Sequence, residues 1–324
     1  MDQLKRSIRT DMADESRVVG AGTQTRARDG IGEGIRVEQD GDQDVAITRV
    51  HIENKQGEET AGKPIGNYIT LDIPKIHERS RDLYEKACKI LAGELENLIN
   101  IDRKGTVLVV GLGNWNVTAD ALGPRVARSV LVTRHIFEFL PKEVDETERP
   151  VCAVSPGVLG ITGIETGDII KGIVENVKPD LVIAVDALAS RSMKRVNASI
   201  QLAGVGNKRA ALTREALGIP VIAIGIPTVV DAATMVSDTL DLIMDSLTEQ
   251  AGKGSEFYKM LAGIDRDEKY RMIIELLEPY SGNLIVTPKD TDDIVDYLSK
   301  LVANGINMAL HENITPKDVD RFLR

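Results

Sequence analysis

Two aspartates in this chain stand just beyond apolar runs. Val107-Leu108-Val109-Val110 leads into Gly111-Leu112-Gly113-Asn114-Trp115-Asn116-Val117-Thr118-Ala119-Asp120. Leu181-Val182-Ile183-Ala184-Val185 leads into Asp186-Ala187-Leu188-Ala189-Ser190-Arg191-Ser192. Unbroken Val/Ile/Leu runs of this kind mark strands covered on both faces. The carboxyl ends of such strands border the crevice where open α/β sheets bind ligands. Two carboxylates meeting there can share a proton and activate a water. The chemistry this pairing suggests is hydrolysis without a cysteine, a serine triad or a cofactor.

Each candidate also has a plainer reading. Asp120 has the residue type of a helix N-cap, with Leu122 opening the apolar face behind it. Asp186 follows five apolar residues, so it is expected to end a buried strand. A carboxylate at that depth needs a partner, a ligand or a proton; a structural hydrogen-bonding aspartate would also satisfy the pattern. The glycines of Gly111-Leu112-Gly113-Asn114 do not complete a dinucleotide fingerprint, because the third glycine would fall at Asn116. They permit a sharp turn, and Gly111, Gly113 and Asn114 are candidate oxyanion donors or simply parts of a tight strand-to-helix turn.

Arg191, Lys194 and Arg195, with Lys208 and Arg209 further on, follow Asp186. They are candidates for holding a substrate carboxylate, or an ordinary solvated surface. The four histidines, His51, His77, His135 and His311, lack metal-ligand spacing, so no metal and no cofactor is expected. Neither Ser155 nor Ser190 lies in a nucleophile-elbow motif.

The elements that must position these residues follow from periodicity. Strands are expected at 46–52, 68–73, 106–110, 151–154, 181–185 and 221–225, with a short one near 283–286. Helices are expected at 79–98, near 120–132, 167–177, 209–217 and 231–248, and at 290–310. Further helix and turn is expected over 253–282. In 79–98 the apolar residues Leu83, Ala87, Ile90, Leu91 and Leu95 recur at helical spacing. Alternation of buried strands with helices predicts a parallel sheet with helices on both faces. The Gly/Asp-rich stretch 18–44 reads as loop, and Glu53–Gly66 as a long hairpin connection.

Composition sets bounds. The 324 residues carry a formal charge of −10, are 42% hydrophobic and only 3% aromatic. The acidic balance opposes general nucleic-acid binding, and so few aromatics oppose a base-stacking surface. No apolar run reaches the roughly 18 residues of a membrane helix. The charged stretch Met1 to Arg17 has no signal-peptide core. Two distant cysteines, Cys88 and Cys152, read as reduced core residues of a cytoplasmic protein.

Three motifs carry a resemblance. Gly111 to Pro124, Ser155-Pro156-Gly157-Val158-Leu159-Gly160-Ile161-Thr162-Gly163, and Val185-Asp186-Ala187-Leu188-Ala189-Ser190-Arg191 resemble the germination protease family of spore-forming bacteria. These are atypical aspartic endopeptidases that degrade small acid-soluble, DNA-coating spore proteins. The resemblance implies catalytic roles for Asp120 and Asp186, a homotetramer, and residence in the forespore or spore core. It also implies a self-processing zymogen. Family substrates are cut after an acidic and before an apolar residue, and Asp11-Met12 fits. That makes 1–11 a propeptide and 12–324 a single peptidase domain. The implied fold is a three-layer α/β/α with a mostly parallel central sheet, extra N-terminal strands and C-terminal helices, like the hydrogenase maturation endopeptidases. The competing functions are a metal-dependent maturation protease and a non-enzymatic α/β binding module.

Overall fold

Alternate residues of each apolar run face opposite layers, which is what makes this a three-layer fold. Val107, Val109, Leu181, Ile183 and Val185 enter one core; Leu108, Val110, Val182 and Ala184 enter another. The computed structural model describes residues 33–144, 147–190, 192–204, 217–251, 272–273, 275–277, 284–312, 314–316 and 318. Among these residues the strands are β1 (Ile35–Gly41), β2 (Ala46–Ile52), β3 (Gly66–Asp72), β4 (Val107–Gly111), β5 (Val151–Val154), β6 (Leu181–Ser190), β7 (Ser199–Ala203), β8 (Val221–Asp231) and β9 (Ile285–Val286). The helices are α1 (Lys55–Ala61), α2 (Arg81–Leu98), α3 (Leu122–Ser129), α4 (Arg134–Phe139), α5 (Leu159–Thr162), α6 (Thr166–Val177), α7 (Ala232–Ala251) and α8 (Thr291–Leu310).

One sheet contains all nine strands, in the order β1-β2-β3-β7-β8-β6-β4-β5 with β9 beside β8. The β5, β4, β6 and β8 segment is parallel, as expected for crossover units. The other five pairings are antiparallel, because the N-terminal strands join the same sheet through β7. Helices α2, α3 and α8 cover one face through Leu91, Leu95, Leu122, Val126, Leu298, Leu301 and Ile306. Helix α6 covers the other through Ile170 and Val174. Gly305 of α8 lets that helix close on α2, since a Cβ there would lie 2.6 Å from Leu91 Cδ2. Asn307, fully buried, accepts from Leu131 N–H at 2.8 Å and donates to the Ser129 carbonyl, closing the end of α3. Arg49 of β2 pairs with the buried Glu94 of α2, tying the antiparallel wing to the helical layer.

Several expectations change. The described part of the Gly/Asp-rich stretch is strand over Ile35–Gly41, in register with β2. The hairpin turn is Asp42–Val45: the Asp42 carboxylate accepts from the amides of Asp44 and Val45 and from Lys86. Those bonds hold its carboxyl down at about 2, the lysine contributing most. The connection 53–66 contains α1, which Asn54 caps by accepting from Gly57 N–H at 2.9 Å. Residues 209–216 of the expected helix 209–217 and most of 253–282 lie outside the described residues. Among the described residues no helix is long and apolar enough to cross a membrane.

Candidate active site at the carboxyl rim of the parallel strands

The sequence places Asp186 at a strand end, but β6 runs on to Ser190. What ends there is the neighbour. β4 pairs with β6 from Val107↔Leu181 to Gly111↔Val185 and stops, so Asp186 is the first β6 residue beyond it. On the other side β6 keeps β8, with Asp186 opposite Gly225. Asp186 is thereby half-exposed at a notch in the sheet rather than sealed within it. One of its oxygens, Oδ1, accepts from the Ala187 amide at 2.9 Å.

The chain leaving β4 turns back over this notch. Leu112 N–H donates to the Val185 carbonyl at 2.8 Å, which fastens the turn to β6 one residue before Asp186. Glycines make this approach possible. A Cβ on Gly123, at the start of α3, would sit 2.2 Å from the Leu112 carbonyl and 2.4 Å from that of Val185. Gly113, at φ +118, would place a Cβ 2.0 Å from the Asp120 carbonyl. Only glycine meets both requirements at that position.

Asp120 ends a short 3-10 turn, Thr118–Asp120, rather than capping α3: no side-chain cap bond is made, and Ala121 holds the cap position. Its carboxylate Oδ2 accepts from Asn114 N–H at 2.7 Å. That amide thus ties the turn residue Asn114 to the Asp120 carboxylate. Gly111 lies inside β4, where its role is steric: a Cβ would meet the Gly123 carbonyl at 2.1 Å. Burial raises the Asp120 carboxyl above the ordinary carboxylate range, with the Asn114 bond opposing it.

Residues that sequence reasoning missed hold this turn. Thr118 Oγ1 donates to Asp292 Oδ1 at 2.9 Å, and Arg125 reaches the same carboxylate at 3.6 Å and Asp296 at 3.8 Å. The Thr228 hydroxyl donates to the Ala119 carbonyl at 2.6 Å. Asp292 had a sequence signal, but only as part of a helix start. Thr228 lay beyond the expected end of its strand.

The other candidates lie on the segment after β6 or outside the described residues. Arg195 lies 3.6 Å from Asp72 at the end of β3, and Lys194 is exposed beside it. Arg191, Lys208, Arg209, Asp11 and Met12 fall outside the described residues. Cys88 is buried and its thiol is pushed up to about 12; burial raises Cys152 as well, so neither is an activated nucleophile. Among the described residues no group of three His, Cys, Asp or Glu side chains is placed to hold a metal ion. The rim near the aspartates also exposes Trp115, with the Arg128 guanidinium 5.9 Å from its ring, and Leu159, Ile161 and Ile164 after β5.

Comparison with known proteins bears directly on this arrangement. A family model described as germination protease matches residues 11–262 and 247–323. The chain belongs to the germination protease family. It is 49% identical to a germination protease of Clostridium perfringens ATCC 13124 over 98% of this chain and 99% of that protein. The identity is 48% with that of Clostridium tetani, over the same shares, and 40% with that of Bacillus cereus 03BB102, over 97% and 96%. Membership makes the chain a protease, a hydrolase of peptide bonds. Among solved structures, the [NiFe] hydrogenase maturation protease HycI of Thermococcus kodakarensis aligns with a TM-score of 0.30 and 16% identity, over 66% of this chain and 98% of that one.

Proposed function

We propose that this protease starts the breakdown of small acid-soluble, DNA-protecting proteins in the germinating spore core, using Asp120 and Asp186 to activate water. The observation that carries the reading is the Leu112–Val185 hydrogen bond, which fastens the chain leaving β4 toward Asp120 to β6 one residue before Asp186. Burial favours the protonated form of Asp120, which suits it to the acid role. Asp186, at the open notch, then takes the base role. It removes a proton from water as the oxygen attacks the peptide carbonyl, while Asp120 donates toward the carbonyl oxygen or leaving nitrogen.

The same reading makes the chain a zymogen that cuts itself between Asp11 and Met12, and a homotetramer in its working form. An acidic residue before the cut calls for a cationic subsite. Lys194, exposed and close to Arg195, is the described residue best suited to supply it; Arg191 belongs to the same basic segment. Cleavage of a peptide from a small acid-soluble spore protein by wild type, and its loss in Asp120→Asn and in Asp186→Asn, tests the assignment. Full activity in either variant contradicts the two-carboxylate mechanism, and loss of activity on chelation would favour a metal-dependent protease instead.

A further inference from the structure

Strands β6 and β8 run in register until Leu188↔Pro227, and then resume at Ala189↔Val229. Thr228 is the extra residue. Bulges are uncommon between parallel strands, and where they occur they re-aim a side chain, often beside an active site. Here the bulge frees both polar groups of a residue only 1% exposed. The hydroxyl donates to the Ala119 carbonyl at 2.6 Å, and the backbone carbonyl accepts from Thr287 Oγ1 at 2.9 Å. With the Thr287 proton committed to Thr228, Thr291 Oγ1 donates to Thr287 Oγ1 at 2.7 Å. One residue further along α8, Asp292 receives the Thr118 hydroxyl.

The 3-10 turn bearing Asp120 is thus held at two successive residues, Thr118 and Ala119, by hydroxyl bonds that lead to one place, the start of α8. Neither bond touches the Asp120 carboxylate. Both fix the backbone from which it projects. We propose that Thr228 is a positioning residue of the peptidase: its bulged hydroxyl sets the Asp120 turn, and through Thr287 and Thr291 it couples that turn to the first turn of α8. This rests on the reading of Asp120 as catalytic. Without the hydroxyl, the Ala119 carbonyl loses its partner and the turn can relax toward solvent. Small misplacements of a catalytic group cost up to about 100-fold in rate.

The test compares Thr228→Val, which keeps shape and removes the donor, with Thr228→Ser, which keeps the donor, in the form beginning at Met12 that the proposed reading makes the active one. Turnover of a peptide from a small acid-soluble spore protein and the carboxyl titration of Asp120 by NMR, assigned against Asp120→Asn, are read together. Thr228→Val should lower kcat by about 10- to 100-fold with KM within about twofold, and move the Asp120 titration toward the ordinary carboxylate range. Thr228→Ser should stay within about threefold of wild type. Wild-type kcat and titration in Thr228→Val overturn the proposal, as does a loss that Thr228→Ser shares in full. Should Thr228→Val fail to fold, Thr287→Val, which removes only the second link, must lower kcat and shift the same titration, and no change in either overturns the coupling. Activity retained by Asp120→Asn would defeat the catalytic reading instead, and the titration would still judge the hydroxyl's hold on the turn.

Discussion

Acid should weaken this fold through a histidine far from the aspartates. His311 follows α8, is 1% exposed, and accepts from Arg149 N–H through Nδ1 at 3.4 Å. Burial, aided by the charge of Arg149 and opposed by the Leu131 backbone, holds its pKa down at about 4. Protonation would turn Nδ1 into a second donor against the Arg149 amide. A histidine with a depressed folded pKa contributes stability that is complete above its unfolded value, near 6.5, and is lost as pH falls through the folded one. Between pH 7 and pH 5 the loss from this one ring comes to about 2 kcal/mol, reaching about 3 kcal/mol below pH 4. The perturbation is His311→Gln, which cannot gain the proton. Urea unfolding of both proteins across this range, each in the Asp120→Asn background to prevent self-digestion, isolates the effect because all other titrating groups are shared. Whatever its stability at pH 7, the variant's curve between pH 7 and pH 5 should be flatter by about 2 kcal/mol. Parallel curves would refute the reasoning.

Other outcomes follow from the same geometry. Because burial raises the Asp120 carboxyl, its ionised form costs stability above the ordinary carboxylate range and the cost vanishes below it. Relative to wild type, Asp120→Asn should therefore be better off at pH 7 than at pH 3 in thermal melts, while its proteolysis is lost; a gap that widens toward acid contradicts this. Gly113→Ala faces a backbone oxygen at 2.0 Å and a left-handed φ, so it should cost at least about 2 kcal/mol in chemical denaturation and lower turnover as well. Arg49→Met strands the buried Glu94 and should cost about 3 kcal/mol, most of it recovered by adding Glu94→Leu. Lys194→Glu should weaken cleavage after acidic residues more than after neutral ones, read as kcat/KM on paired peptides; an unchanged ratio removes Lys194 from the subsite.

What was legible in the sequence was the buried parallel core. Val107–Val110, Val151–Val154 and Leu181–Val185 have no polar alternation, and such runs have few other places to go. The wing was harder to see. β1 alternates weakly, Ile35 and Val37 among charged residues, and it becomes a strand only because β2 supplies a partner. β7 lies behind a basic segment that masks its short Ser199–Ala203 run. At the site, both aspartates were visible as residue types. Their environment was not, because it is made by distant segments: β4 stopping one residue short of Asp186, and a bulge at Thr228 reaching Ala119 across 109 positions. Periodicity carries no information about where a neighbouring strand ends or where a register slips.

The central claim is that Asp120 and Asp186 together make this chain a self-processing peptidase. Intact-mass analysis over time at mildly acidic pH, on wild type beside Asp120→Asn and Asp186→Asn, tests it most directly. Loss of residues 1–11 from the wild type alone is the predicted result. Equal processing in all three, or none in a folded wild type whose form beginning at Met12 also leaves a peptide from a small acid-soluble spore protein intact, would contradict it.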